Sequence, residues 1–159
     1  MRRFGKSRQN GITYRARPGA YAILPAKGQL LLTHQGGIHD EFQLPGGGID
    51  PGESPIAALH REVFEETGWR IGSIRRLWAF RRFVFMPEYD MHAEKLCHIF
   101  LARPIRKLSL PSEAGHTAVW ASHAFAMENV ANPGDRFVLQ TLFSPSNSNK
   151  IAETSSPKP

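Results

Sequence analysis

Glu62, Glu65 and Glu66 stand at i, i+3 and i+4, so on an α-helix their carboxylates share one face. Like charges at that spacing destabilise a bare helix by about 0.2–0.5 kcal/mol per pair. They also fall toward the helix C-terminus, where the macrodipole disfavours negative charge. A divalent cation on that face removes the conflict, and Mg²⁺, a hard ion that takes oxygen ligands and keeps substrate phosphates in its shell, suits it. Alone, an E-x-x-E-E triplet is usually a solvated acidic face, with Arg61 as one more surface charge. The setting changes that reading. Pro45-Gly46-Gly47-Gly48 follows a short apolar run and precedes the helix. Glycines there allow close backbone approach, a free carbonyl for a metal and free amides for a phosphate. No Gly-Lys-Ser/Thr follows, so the run is not a P-loop.

The elements that must position these groups can be read from pattern and punctuation. Ser54 is a natural N-cap, Pro55 fits the first helical position, and Gly68 stops the helix. Ile56, Leu59, Val63 and Thr67 repeat at helical spacing as a buried stripe, which leaves the carboxylates off the core. Gly19 to Gln35 reads as two strands around a turn at Pro25–Gly28, and Phe42 to Leu44 as a short strand running into the glycines. Arg70 to Met86 reads as strand, bend and strand, Pro87 to His92 as a hairpin loop, and Lys95 to Ala102 as a further strand. Pro104 to Gly115 is a polar connection, Thr117 to Ala121 a short strand, and Ser122 to Glu128 and Asp135 to Phe143 short helices. Strands, one strong helix, more strands and a helical end point to an α+β fold with a mixed sheet, not an alternating parallel one.

A length of 159 residues with 41% hydrophobic and 10% aromatic content suits one globular domain. No apolar run approaches the length of a membrane span, and the basic N-terminus lacks the apolar stretch of a secretory signal. Cys97 is the one cysteine, which excludes an intrachain disulfide, fits a cytoplasmic protein and reads as a small core residue. The net charge is +6, and Arg2, Arg3, Lys6, Arg8, Arg15 and Arg17 account for all of it, since no acid precedes Asp40. The chain divides into a basic arm over 1–17, a domain over 18–143 and a polar, disordered tail over 144–159. The arm reads first as a solvated terminus, and otherwise as a surface for RNA or polyphosphate.

The stretch from Gly46 to Trp69 resembles the Nudix box, G-x5-E-x7-R-E-U-x-E-E-x-G-U, where U is a bulky apolar residue. Gly47 and Glu53 fill the first fixed positions, then Arg61, Glu62, Val63, Glu65, Glu66 and Gly68. Trp69 stands where the family usually has an aliphatic residue. With the flanking strands, the resemblance implies a Nudix-type α/β/α sandwich around a mixed β-sheet. It also implies a Mg²⁺-dependent hydrolase, with Mn²⁺ as a substitute, that cuts a phosphoanhydride bond in nucleoside diphosphate derivatives.

By that resemblance Glu65 and Glu66 bind metal, Glu62 is a ligand or general base, and the Gly46 carbonyl joins the shell. Arg61 orients the glutamates, and Glu53, Gly47 and Gly68 are structural. A further acid after the box often serves the family. Glu113 is the candidate, His116 a weaker one, and Glu88, Asp90 and Glu94 are rivals. Arg81 and Arg82 could grip phosphates, and Tyr89, Phe83 and Phe85 could stack on a base, although strand residues facing the core are the plainer reading for the two phenylalanines. The compact chain points to nucleoside triphosphates or related small nucleotides, ahead of RNA 5′ ends or dinucleoside polyphosphates. A non-catalytic nucleotide-binding regulator on the same scaffold is a different class of reading, and the intact Arg61, Glu62, Glu65 and Glu66 oppose it. No membrane partner is expected, and the sequence leaves the oligomeric state open.

Overall fold

The computed structural model describes residues 1–145, so most of the tail expected to be disordered lies outside the described residues. The strands are β1 (Arg15–Ile23), β2 (Pro25–Ala26), β3 (Gln29–Gln35), β4 (Glu41–Gln43), β5 (Gly46–Gly48), β6 (Trp69–Met86), β7 (Met91–Lys107) and β8 (His116–Ser122). The helices are α1 (Pro55–Thr67), α2 (His123–Asn129) and α3 (Pro133–Phe143). One sheet runs β5-β1-β7-β6, with β1 and β7 parallel and the other pairs antiparallel. In the second sheet β3 pairs antiparallel with β2, β4 and β8. Among the described residues no helix is long and apolar enough to cross a membrane.

Alternation along the central strands fills both faces. Ala20, Ala22 and Leu24 of β1, Leu31 of β3, and Phe100 and Ala102 of β7 face α1, where they pack on Ala58, Leu59 and Val63. Tyr21, Ile23, Leu30, Leu32, Cys97 and Ile99 point the other way, toward Ala126 of α2 and Val138 and Leu139 of α3. Strand layers between α1 on one side and α2 and α3 on the other make the expected α/β/α sandwich. Cys97 is a core residue, its thiol pushed up to about 12 by burial.

The box helix forms where its caps put it. Ser54 Oγ accepts from the Ala57 amide at 3.1 Å, and Gly68, at φ 74°, closes the end with its amide on the Phe64 carbonyl at 2.8 Å. Its buried face is rotated from the expected stripe. Ile56 is half exposed, whereas Ala58, Leu59, Val63, Glu66 and Thr67 are buried. The reading that kept all three carboxylates out of the core is therefore corrected for Glu66.

Three further differences have physical causes. Gly46–Gly48 is a strand rather than a loop, because these residues pair with Tyr21–Gly19 of β1. The bend expected within 70–86 is a run of register shifts, between Arg70 and Trp78, in one long strand that pairs along its length with β7, one residue shorter. Part of the basic arm is docked: the Phe4 amide donates to the Arg81 carbonyl at 3.0 Å and the Arg81 amide to the Arg2 carbonyl at 2.9 Å. The Phe4 ring sits 5.3 Å from Phe80 and 5.2 Å from Phe137, and the Arg2 guanidinium lies 4.5 Å above the Phe137 ring.

Candidate active site

Arg61 organises the acidic face of α1. Its Nε and Nη2 donate to the two oxygens of Glu53 at 3.0 and 2.8 Å, a bidentate fork, and Nη1 donates to Glu62 at 2.7 Å and Glu65 at 3.3 Å. Nη2 also reaches the Gly48 carbonyl at 3.0 Å, which joins helix to strand β5. Glu53 accepts the Asp50 amide as well, at 3.1 Å. The Arg61 hydrogen bonds, seconded by that amide, hold the Glu53 carboxyl down to about 2. Glu53 is thus a fixed anion that aims the guanidinium, and the guanidinium aims Glu62 and Glu65.

Glu66 lies deeper. Its Oε2 accepts the Gly46 amide at 2.9 Å, while its Oε1 is 3.3 Å from His116 Nδ1. The same His116 nitrogen is 3.0 Å from Thr33 Oγ1. Burial raises the Glu66 carboxyl well above its ordinary range, against the lowering effect of the Gly46 amide. Burial also raises Glu62, and its bond to Arg61 opposes the shift. The Gly47 backbone passes directly over Glu62, so that a Cβ there would collide with the carboxylate.

Glu113 arrives from the β7–β8 loop. The amides of Ser112 and Glu113 donate to the Glu65 carbonyl at 2.8 and 3.1 Å, so an otherwise unpaired carbonyl of the last turn of α1 anchors the loop. That tether brings Glu113 into two groups whose ligand atoms lie within 4.8 Å of one another: Glu62, Glu65 and Glu113, and Glu66, Glu113 and His116. Glu88, Asp90 and Glu94 belong to neither group. Glu88 bonds His39 at 2.8 Å, and Glu94 pairs with Arg81 at 2.8 Å. The donor set fits a divalent ion. It is nearly all carboxylate, and it gathers more negative charge in a half-buried place than Arg61 neutralises.

Gly46 and Gly47 form one end of a cleft of about 330 Å³, which opens where the chain crosses from β4 in one sheet to β5 in the other. Tyr21, Arg82, Lys95 and Asp135 line it more deeply, and Val84 and Phe85 stand at its edge. Arg82 is therefore in the cleft. Arg81 does not line it and is taken up by Glu94. Tyr89 is exposed beneath the Arg17 guanidinium, 5.2 Å from its ring, in a separate hollow. Phe83 is buried and Phe85 half exposed.

The sequence reading missed Asp135. It is 2% exposed, its Oδ1 has no hydrogen-bond partner, and burial pushes its carboxyl up to about 7, with Arg82 and Lys95 tempering the rise. Gly134 lets α3 approach so closely, since a Cβ would run into the Phe80 ring. An Asp near a helix start is an ordinary surface signal, and nothing local announced its burial.

A NUDIX domain model matches residues 13–142. The chain belongs to the Nudix family. An RNA pyrophosphohydrolase of Pectobacterium atrosepticum is 42% identical over 62 residues, which are 39% of this chain and 34% of that protein. One from Proteus mirabilis is 50% identical over 46 residues, 29% of this chain and 26% of the relative. The matched stretches thus span well under half of these relatives. A NUDIX hydrolase from Nitrosomonas europaea superposes with a TM-score of 0.67 at 20% identity, over 79% of this chain and 87% of that one. The mutator MutT protein from Bacillus halodurans gives 0.65 at 21% identity, over 78% and 80%. At such identities the structural likeness establishes the fold.

Proposed function

We propose that this Nudix protein is a pyrophosphohydrolase, dependent on Mg²⁺ and served also by Mn²⁺, that cuts the phosphoanhydride bond of a nucleoside 5′-polyphosphate. The observation that carries the reading is the convergence of Glu62, Glu65, Glu66 and Glu113 beside Gly46 and Gly47, at the end of a cleft that also holds Arg82 and Lys95. A bound divalent ion supplies charge neutralisation at the phosphates and a more acidic water. Glu65 and Glu66 would hold it, and Glu62, fixed by Arg61, would be a further ligand. The Gly46 amide is already committed to Glu66, so this glycine contributes by orienting that carboxylate, and its carbonyl would be a further oxygen ligand. Arg82 and Lys95 attract the nucleotide's anionic part, and Asp135 offers a free acceptor to its base.

Glu113 takes the proton of the attacking water in this scheme. It is nearly half exposed, it stands beside both carboxylate groups, and it has no bond to Arg61. Glu62, by contrast, is committed to the guanidinium. RNA pyrophosphohydrolases are 42–50% identical to this chain over stretches of 46–62 residues, which supports a nucleotide that is either free or the first of an RNA chain. Phosphate and pyrophosphate release from a panel of nucleoside triphosphates, dinucleoside polyphosphates and 5′-triphosphorylated RNA, with and without Mg²⁺, tests the proposal. Tight nucleotide binding without turnover of any member would make the protein a regulator instead.

A further inference from the structure

The box ends on Trp69, where the family usually has an aliphatic residue, and the catalytic cleft makes no use of the larger ring. Trp69 opens β6, so it lies at the far end of the sheet from the β6–β7 hairpin. There it meets Trp120 edge to face, with ring centroids 5.6 Å apart at 86°, and both rings are only partly buried. With Ala26, Lys27, Gln29 and Pro104 they line a hollow of about 370 Å³ that shares no residue with the catalytic cleft. Exposed aliphatic side chains adjoin it. The Gly68 carbonyl accepts the Leu108 and Ser109 amides at 2.9 and 3.4 Å, which holds this stretch beside Trp69. Ile105, next to Pro104, and Leu108 are half exposed, and Leu110 is three-quarters exposed. The surrounding charge is of one sign. Lys27, Arg70, Arg103, Arg106 and Lys107 are all exposed, and among the described residues none of them belongs to an ion pair. No acid occurs within 18–39, 67–87, 95–112 or 114–127, the stretches that supply the hollow and its margin.

We propose that this hollow is a docking site for an acidic segment of another protein, which seats a bulky apolar side chain against Trp69 and Trp120 and lays its carboxylates on the surrounding bases. The arrangement is that of a protein interface: an aromatic centre, an aliphatic margin and a charged, solvated rim. Charge decides the occupant. A second copy of this chain would set the same five cations against one another, and like charges facing across an interface are strongly unfavourable. The exposed Ile105, Leu108 and Leu110 select a protein over a nucleic acid, which offers phosphates and flat bases but no aliphatic side chains to cover them. A recess selects a protruding side chain over a bilayer surface. The hollow is separate from the catalytic centre, so the proposal stands whatever substrate that centre takes.

The indole N–H signals of Trp69, Trp78 and Trp120 in a ¹⁵N-labelled full chain report on the site without hydrolysis. Trp69→Leu, Trp78→Phe and Trp120→Phe assign them, and Trp78, which packs near Phe137 at 6.0 Å, serves as the internal control. The probe is the acetylated peptide Glu-Asp-Glu-Phe-Leu-Glu-Asp-Glu, titrated in EDTA so that no metal bridges it to the catalytic acids. The Trp69 and Trp120 signals should shift saturably while Trp78 stays in place. Replacing Phe-Leu of the peptide by Ala-Ala should weaken binding by roughly tenfold or more. The surface variant K27E/K107E, which leaves the rings in place, should weaken it by a similar factor, and added salt should do the same. Trp69→Leu keeps an apolar side chain at the position and should also bind about tenfold less tightly. Unmoved Trp69 and Trp120 signals overturn the site, and so does binding indifferent to the loss of Phe-Leu, which would be charge attraction alone. Tighter binding at the same two rings by a 5′-hydroxyl RNA octanucleotide or by phosphatidylglycerol vesicles would assign the surface to nucleic acid or membrane and overturn the protein partner. Shifts of the two signals with protein concentration alone would make it a contact between copies and overturn it likewise.

Discussion

Arg61 bonds Glu53, Glu62, Glu65 and the Gly48 carbonyl at once. Its value lies in the fork: the bidentate bond to Glu53 fixes the plane from which the other donors reach. Lysine keeps the charge and loses that geometry. Arg61→Lys is expected to lower turnover about 10–100-fold and raise the Mg²⁺ concentration needed, with the fold retained. A metal titration of activity would show it, and a wild-type titration curve would contradict the positioning role. Glu65→Gln removes a proposed ligand charge and should cost orders of magnitude in kcat with the fold retained. Asp135 yields a pH prediction away from the metal. Its carboxyl sits near 7 in the fold against an ordinary 3.8, so the folded state holds the proton more tightly than the unfolded chain. Its contribution to stability is therefore fully present below about 3.8, is lost as pH rises, and is gone above about 7. Asp135→Asn should gain stability relative to wild type at pH 8 and little or none at pH 4. Urea unfolding in EDTA across that range measures the difference, and a pH-independent difference would show that the buried carboxyl is not what is titrating.

At the scale of elements, the sequence disclosed what local chemistry decides. The ends of α1 are written in Ser54, Pro55 and Gly68, and the shared face of Glu62, Glu65 and Glu66 in their spacing. What it concealed depends on distant partners. Gly46–Gly48 has no strand signature, since glycine is a poor strand former, and becomes a strand only because β1 offers it a ladder. Periodicity alone set the buried stripe on Ile56, whereas the buried Gly46 amide and His116 draw Glu66 inward. The cluster that includes Glu113 was visible only as a family expectation, because its cause is the bond from residues 112–113 to the helix end. β5 also yields a test. A methyl group at residue 47 would occupy the space of the Glu62 carboxylate, the flexible end of a side chain, so the strand can persist while the carboxylate moves. Gly47→Ala is expected to keep its circular dichroism and lose roughly 10–100-fold in Mg²⁺-dependent turnover. Full activity would mean that Glu62 need not occupy its observed position.

The whole molecule places its chemistry at a seam. Between Gln43 and Gly46 the chain leaves one sheet for the other, tied by the Ala22 amide to the Pro45 carbonyl at 2.8 Å, and the cleft opens there. Helix α1 brings acids to one end, β6 and β7 bring Arg82 and Lys95, and α3 brings Asp135, so the cleft depends on all three layers staying in register. The outer strand β6 is the exposed margin of this assembly, and the N-terminal segment covers part of it with two backbone hydrogen bonds and the Phe4 ring. A free strand edge invites pairing with other chains, so this segment protects the sheet as well as carrying charge. Phe4 is partly buried, and Phe4→Ala should destabilise the protein by about 2 kcal/mol, less than the roughly 3–5 kcal/mol typical of a fully buried ring. Removing residues 1–5 should cost at least as much and promote aggregation. Chemical denaturation with light scattering would register both effects. A truncated protein as stable and as monodisperse as the intact one would mean that β6 needs no cover.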